Sequence, residues 1–363
     1  MIDHPVQRWR FRLPKERRVS ARRPVIAGNV VYVAFWYDKG GLVESTLFAL
    51  DADSGVQRWS YRIDHVGNEP VVADDIVYWS SFEGAVHAID REGRLLWKAP
   101  CTDASIGVPV ISVGNRLFVA EISGGARWTW CLDRATGATL WRFEHGGHTY
   151  RLCHSGDRVY HTSVASAGID ESVWCSLHCL YAVDGSVQWS VSGPDYLFSP
   201  IVIDDRVHVC SHRSLYIHSA ADGHRVSEEA LGSDGETVTL APGSWPAQTV
   251  VWGSRAAEGG DWIAAYTVDP VRRWFGGSRP QVRWLWRFKE PRRVCDAPLA
   301  LPGGRLVYLT HDGTVQMIAG ETGEPVLKLT QKTQSSEFGG LAIGNDILVA
   351  AHGRDVVLFA FSG

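Results

Sequence analysis

A glycine followed four residues later by a tryptophan occurs at Gly55/Trp59, Gly93/Trp97, Gly137/Trp141 and Gly185/Trp189. A short apolar run ending in aspartate precedes each pair, closing at Asp51, Asp90, Asp133 and Asp184. Repetition constrains a chain more than any single motif, because each copy buries its apolar face only against the next copy. The Asp and Gly supply a turn between two strands, so the unit is a hairpin.

A second hairpin lies upstream in each copy. Pro24-Val25-Ile26 leads through Gly28-Asn29 into Val30, and Pro70-Val71-Val72 through Asp74-Asp75 into Ile76. Pro109-Val110-Ile111 and Pro200-Ile201-Val202 begin equivalent pairs. Two hairpins make a four-stranded antiparallel sheet, one blade of a β-propeller. Degenerate copies follow: His218 to Ala230 has Ser227 at the Trp position, Ile318 to Leu329 has Leu327, and a longer copy from Thr237 to Pro291 ends in Trp284-Leu285-Trp286. The last copy, residues 340–363, stops after its third strand, while Val6-Gln7-Arg8-Trp9 repeats Val56-Gln57-Arg58-Trp59. Residues 6–13 are therefore expected to complete the last blade and remove an open edge. The markers Trp9, Trp59, Trp97, Trp141, Trp189, Ser227, Trp286 and Leu327 count eight blades in one all-β domain spanning residues 1–363.

The pattern x-x-L-D-x-x-x-G-x-x-x-W resembles the repeats of the PQQ-like propellers, which include the quinoprotein alcohol dehydrogenases and an outer-membrane assembly lipoprotein. The resemblance covers essentially the whole chain and implies eight blades. It differs from a WD40 ring, whose Gly-His and Trp-Asp signature is absent. In the quinoproteins it also implies pyrroloquinoline quinone and a calcium ion at the ring centre. This chain departs from them: it has no export signal, no adjacent Cys-Cys pair and no C-x-x-C-H haem site. The assembly lipoprotein's signal and lipidated Cys are likewise not found. The expectation is a chain without cofactor, whose function has to be argued from its site.

Composition narrows the classes. The formal net charge of −4 argues against a nucleic-acid partner, and the basic stretch Lys15 to Arg23 reads as a solvated loop. The start MIDHPVQRWRF lacks an apolar h-region, and no apolar run reaches the roughly 18 residues of a membrane span. A cytoplasmic protein without membrane contact is expected, its seven Cys reading as small buried hydrophobes.

The segments entering the first strand of each blade should converge on the channel mouth. They carry Arg22, Arg23, Asn68, Glu69, Asp103, His148, Tyr150, Arg151, Tyr196, Glu236, Asp296 and Glu337. His148, Tyr150, Glu69, Asp296 and Glu337 are candidate general acids or bases. Arg22, Arg23, Asn68 and Tyr196 are candidate ligand contacts. Long loops are expected over Phe35 to Thr46, Thr162 to Ser176 and Gly253 to Trp262, with Trp36 either covering the channel or packing its own loop. A further long connection, Pro270 to Pro280, is expected on the opposite face. His311 and His352 occupy matching positions in neighbouring blades, too far apart to share a metal, and are kept as ligand contacts. Cys175, His178 and Cys179 with His161 have a zinc-like spacing, but the alternation puts the two Cys in the core and His178 outside; no metal is expected. Two functions stay open: a propeller binding a small molecule or protein at the channel face, or a cofactor-independent lyase, cyclase or isomerase acting at the channel mouth.

Overall fold

Alternating apolar residues and positive-φ turns produce nothing but strands among the described residues. The computed structural model describes residues 5–14, 18–38, 40–101, 105–122, 127–149, 151–167, 172–193, 195, 197–231, 237–242, 248–255, 260–271, 279–301, 303–330, 339–344 and 346–361. Eight antiparallel sheets follow one another, each one blade of a propeller. Blade 2 shows the plain pattern, with Val71–Ala73, Ile76–Ser80, Ala85–Ile89 and Leu95–Pro100 running from the inner to the outer edge. Its first turn places Asp74 and Asp75 at φ 49° and 60°. That double left-handed turn matches the twist of a tight hairpin, and the short Asp side chain tolerates it.

Blade 8 is made of Gly339–Ile343, Ile347–His352 and Asp355–Ala360, with Val6–Arg12 as its outer strand. The register runs from Val6 opposite Ala360 to Arg12 opposite Asp355. Arg10 Nε and Arg12 Nε donate to Asp355 Oδ1 at 2.9 and 2.6 Å, and that carboxylate is 1% exposed. Blade 8 shares an apolar cluster with blade 1, in which Trp9, Val349, Ala351 and Leu358 meet Val31, Val33, Phe35 and Phe48.

The seams between blades depend on the repeated Trp and Gly, and the two partners of each contact come from neighbouring blades. A Cβ on Gly55 would lie 2.6 Å from the Trp9 ring; the same holds for Gly93 on Trp59 at 2.8 Å, Gly137 on Trp97 at 2.6 Å, Gly185 on Trp141 at 2.6 Å, Gly223 on Trp189 at 2.5 Å and Gly323 on Trp286 at 2.8 Å. Each indole lies flat on the turn of the next blade, so only glycine fits there. The ring NH usually completes the joint: Trp9 donates to Ala52 O at 2.8 Å, Trp59 to Arg91 O at 2.7 Å and Trp286 to Gly320 O at 2.7 Å. At the seam from blade 2 to blade 3, the Tyr78 hydroxyl takes the corresponding carbonyl, Arg134 O, at 3.3 Å.

In three segments expected as loops, strands extend over most of the described residues. Val30–Asp38 pairs with Val43–Asp51 along its full length, so Trp36 lies in a strand between Ser20 and Ser45. Arg158–Ala167 pairs with Ser172–Tyr181, and Gln248–Arg255 with Gly260–Val271. The continuous ladder satisfies backbone groups that a loop would leave to water. The connection expected over Pro270 to Pro280 is shortened in the same way, since Pro270 pairs with Pro280. In blade 4 the strand ends at Tyr181, not at Asp184; Asp184 sits within the turn and accepts from Ser186 N at 2.9 Å.

The seam sets an expectation for stability. Gly185→Ala meets both a φ of 73° and the Trp141 ring, whereas Gly28→Ala meets a φ of 55° with nothing within 4 Å. The Gly28 change should cost about 1 kcal/mol from backbone strain alone. Gly185→Ala should cost about 2–4 kcal/mol, because the indole must also move. Urea midpoints of the two variants compare them; equal losses would mean that the indole contact contributes nothing.

Candidate functional site

The first strand of each blade is innermost, so the residues just before it look into the channel. Five charged side chains from four blades meet there. Arg151, entering blade 4, contacts Glu69, entering blade 2, with Nη2 3.2 Å from Oε1. Arg23, entering blade 1, lies with Nη1 3.4 Å from Oδ2 of Asp296, entering blade 7, and its Nε donates to Leu341 O of blade 8 at 3.2 Å. Arg22 Nε donates to Gly67 O at 3.2 Å. Each pair spans at least one intervening blade, so the charges bridge the ring.

The electrostatics tie these groups into one cluster. Burial pulls the Arg22 guanidinium below its usual value; Glu69 opposes this and Arg151 adds to it by repulsion. Glu69 holds Arg151 above its usual value against the effect of burial, and Asp296 contributes in the same direction. Both carboxylates are about one-fifth exposed, and the Arg151 side chain is 43% exposed. Water therefore reaches the cluster, and the Arg151 side chain is more exposed than either carboxylate.

Five of the residues expected at the mouth are brought together: Arg22, Arg23, Glu69, Arg151 and Asp296. Others are placed elsewhere. Asn68 is buried between blades 2 and 3, where its amide donates to Ile106 O at 2.9 Å and Ser80 Oγ at 3.0 Å, which makes it a joint rather than a contact. His148 lies on the edge of blade 4 and its Nδ1 bonds Ile122 O. His352 Nε2 bonds the backbone carbonyl of His311 at 3.0 Å, so these two histidines fasten blade 8 to blade 7. Tyr150, Tyr196 and Glu337 lie outside the described residues, as do Asp103 and Glu236. Arg151, which entered the sequence reading only among many polar residues, is the hub. Its signal was its position immediately before the first strand of blade 4.

Cys175, His178 and Cys179 alternate as expected, but the face of His178 turns to blade 3 and not to solvent. Cys175, Leu177 and Cys179 are buried in the core cluster facing blade 5. His178 points the other way, where His161 stacks on it at 4.9 Å and His145 of blade 3 lies 5.1 Å from His161. No three His, Cys, Asp or Glu side chains among the described residues are placed to hold a metal.

A family model described as outer membrane protein assembly factor BamB matches residues 6–98 and 82–255. The chain belongs to that family. BamB from Moraxella catarrhalis superposes with a TM-score of 0.66 at 17% identity, over 99% of this chain and 98% of that one. The quinohemoprotein alcohol dehydrogenase from Comamonas testosteroni gives 0.70 at 12% identity, over 98% and 76%. At these identities the likeness to both is one of fold. Among curated proteins, the 1-butanol dehydrogenase (quinone) of Thauera butanivorans is 25% identical over 177 residues, which cover 42% of this chain and 27% of that enzyme. A quinone centre with a calcium ion needs several oxygen donors converging on one point. In this BamB-family chain the two carboxylates described at the mouth each face an arginine instead. The described residues do not fit such a centre, and its chemistry is not carried over.

The stacked histidines generate a pH expectation. Burial lowers His145 and His178 to about 4 and holds His161 well below its usual value. In the unfolded chain these groups titrate near about 6.5. As pH falls from 6.5 towards 4, the unfolded chain binds protons that the folded chain refuses, so stability is lost across that window. The melting temperature should therefore fall more steeply between pH 6.5 and 4.5 in the parent than in His161→Phe; parallel curves would exclude this seam as the cause.

Proposed function

We propose that this chain is a non-catalytic binding propeller that holds a polypeptide partner through an acidic group seated at the channel mouth. The fixed guanidinium groups carry the reading: Glu69 and Asp296 hold Arg151 and Arg23 at the mouth, with Arg22 beside them. A carboxylate from a partner shares these guanidinium groups in the strong, charge-assisted bonds that they favour. The matched family is described as an assembly factor, which favours a polypeptide over a metabolite. Extended hairpins on blades 1, 4 and 6 stand on the same face as the mouth by strand order and give a partner surface to rest on.

An enzyme acting on a small metabolite would need a general acid and base within reach of each other. His148 is engaged with Ile122 O, and Glu69 and Asp296 are engaged with arginines, so no pairing among the described candidates supports that alternative. We also propose a cytoplasmic location. Seven free cysteines, five of them buried, support a reducing compartment.

Fluorescence anisotropy with a labelled glutamate-rich peptide and a lysine-rich control tests the reading. The acidic peptide should bind in a salt-sensitive manner, and Arg151→Ala should weaken it by about tenfold. Equal binding of both peptides, or an Arg151→Ala variant that binds as the parent does, would sink it.

A further inference from the structure

The outer strands show a second regularity besides the tryptophan. Two residues beyond the Trp position stand Phe11, Tyr61, Phe143 and Phe288 in blades 8, 1, 3 and 6. Each ring packs at its seam: Phe11 on Phe48 at 5.4 Å, Tyr61 on His87 at 5.7 Å, Phe143 on His178 at 5.3 Å, and Phe288 in the apolar cluster with Leu306, Tyr308 and Ile318 of blade 7. Blade 2 has the small Ala99 there and fills the space with Ile106, Ile122 and Trp130 in one apolar cluster. Blade 4 has Val191 at this position and Gly193 two residues on. A cleft of about 400 Å³ opens between blades 4 and 5. This lies within the range of about 300–1,000 Å³ usual for small-molecule sites.

The walls define the chemistry. Leu177, Val191 and Leu197 line the apolar side, while Asp195, Tyr216, His218 and Arg225 line the other. The Tyr216 hydroxyl donates to the Asp195 carboxylate. Arg225 pairs with Glu228 at 2.8 Å and lies 5.8 Å from the Tyr216 ring. His218 Nδ1 bonds Gly223 O at 2.9 Å, and burial lowers its pKa, which keeps the ring neutral. Arg225 is paired with Glu228, and Asp195 is the carboxylate among the lining residues.

We propose that this cleft is a second binding site, distinct from the channel mouth, for a small aromatic ammonium compound. Its ring takes the place that Phe or Tyr fills at other seams, and its ammonium meets Asp195. The apolar wall and Tyr216 supply the ring contacts; the carboxylate supplies a charge-assisted bond.

Isothermal titration with phenethylamine, and with 3-phenylpropionate as the charge-reversed control, tests this. Phenethylamine should bind saturably and the propionate more weakly. A Cβ on Gly193 meets nothing within 4 Å, and its φ lies outside the left-handed region, so Gly193→Leu fills the cleft with little strain. It should abolish binding with the melting temperature kept. Val191→Phe, which copies the aromatic of the other blades, is the second filling variant. Asp195→Asn should weaken phenethylamine by about tenfold and leave 2-phenylethanol unchanged. The site is refuted if phenethylamine does not saturate, if 3-phenylpropionate binds more tightly, or if a folded filling variant binds as the parent does. Tighter binding of a blocked Phe-Lys dipeptide amide than of phenethylamine would overturn the small-molecule reading in favour of a polypeptide.

Discussion

The flat contact of an indole on the backbone of the next blade's turn is what the structure depends on. At six seams the tryptophan of one outer strand covers a glycine of its neighbour so closely that a methyl group would collide. Each contact joins residues that are far apart in sequence or belong to successive copies, so no blade is complete by itself. The two degenerate copies follow from the same rule. Ser227 precedes blade 6, whose third and fourth strands run on to Val271 and Arg279 in place of the short glycine turn. Leu327 precedes blade 8, where the third and fourth strands come from opposite ends of the chain and no turn joins them. Where the receiving glycine turn is gone, the tryptophan is gone as well.

A ring assembled in this way brings the entry segments of distant blades together at its centre. Arg151 reaches Glu69 across blade 3, and Arg23 reaches Asp296 across blade 8. Cross-ring ion pairs of partly exposed groups contribute modestly to stability. They hold guanidinium groups in fixed positions, which is what recognition of an incoming carboxylate requires.

The hairpin repeat was legible because its determinants are local: an aspartate, a left-handed glycine and a tryptophan at short range. Arg22, Arg23, Glu69 and Asp296 were legible by position, since a residue entering an inner strand has little choice but to face the channel. Asn68 shared that position and still turned inward, because its amide found carbonyls of Ile106 and Val108 between blades. Sequence does not reveal which way such a side chain turns. The long hairpins of blades 1, 4 and 6 were read as loops by analogy with the shorter blades, although Val30–Asp38 continues its pairing to the end. The cleft had a signal, the loss of an aromatic two residues beyond Trp189, but a missing side chain becomes a void only if no neighbour fills it. Ala99 and Val191 look alike in sequence, and the apolar cluster around Ala99 separates them.

Blade 4 departs from the repeat on its inner edge and on both faces. Its inner edge supplies Arg151 to the channel mouth. Its face towards blade 3 is polar, with His178 held between Ser163 and Ser190 at 3.0 and 2.8 Å and His161 buried beneath it. Its face towards blade 5 is hollow where blades 1, 3, 6 and 8 place a ring. The Trp141 and Trp189 contacts that fasten it to its neighbours are nevertheless intact, each accepted by a glycine turn. The seam tryptophans thus hold blade 4 in place while the positions beyond them are free to change. Substitutions that would open a defect in an isolated sheet can then build polar and hollow surfaces without loss of the ring, because the indole contacts and the core strands carry the stability.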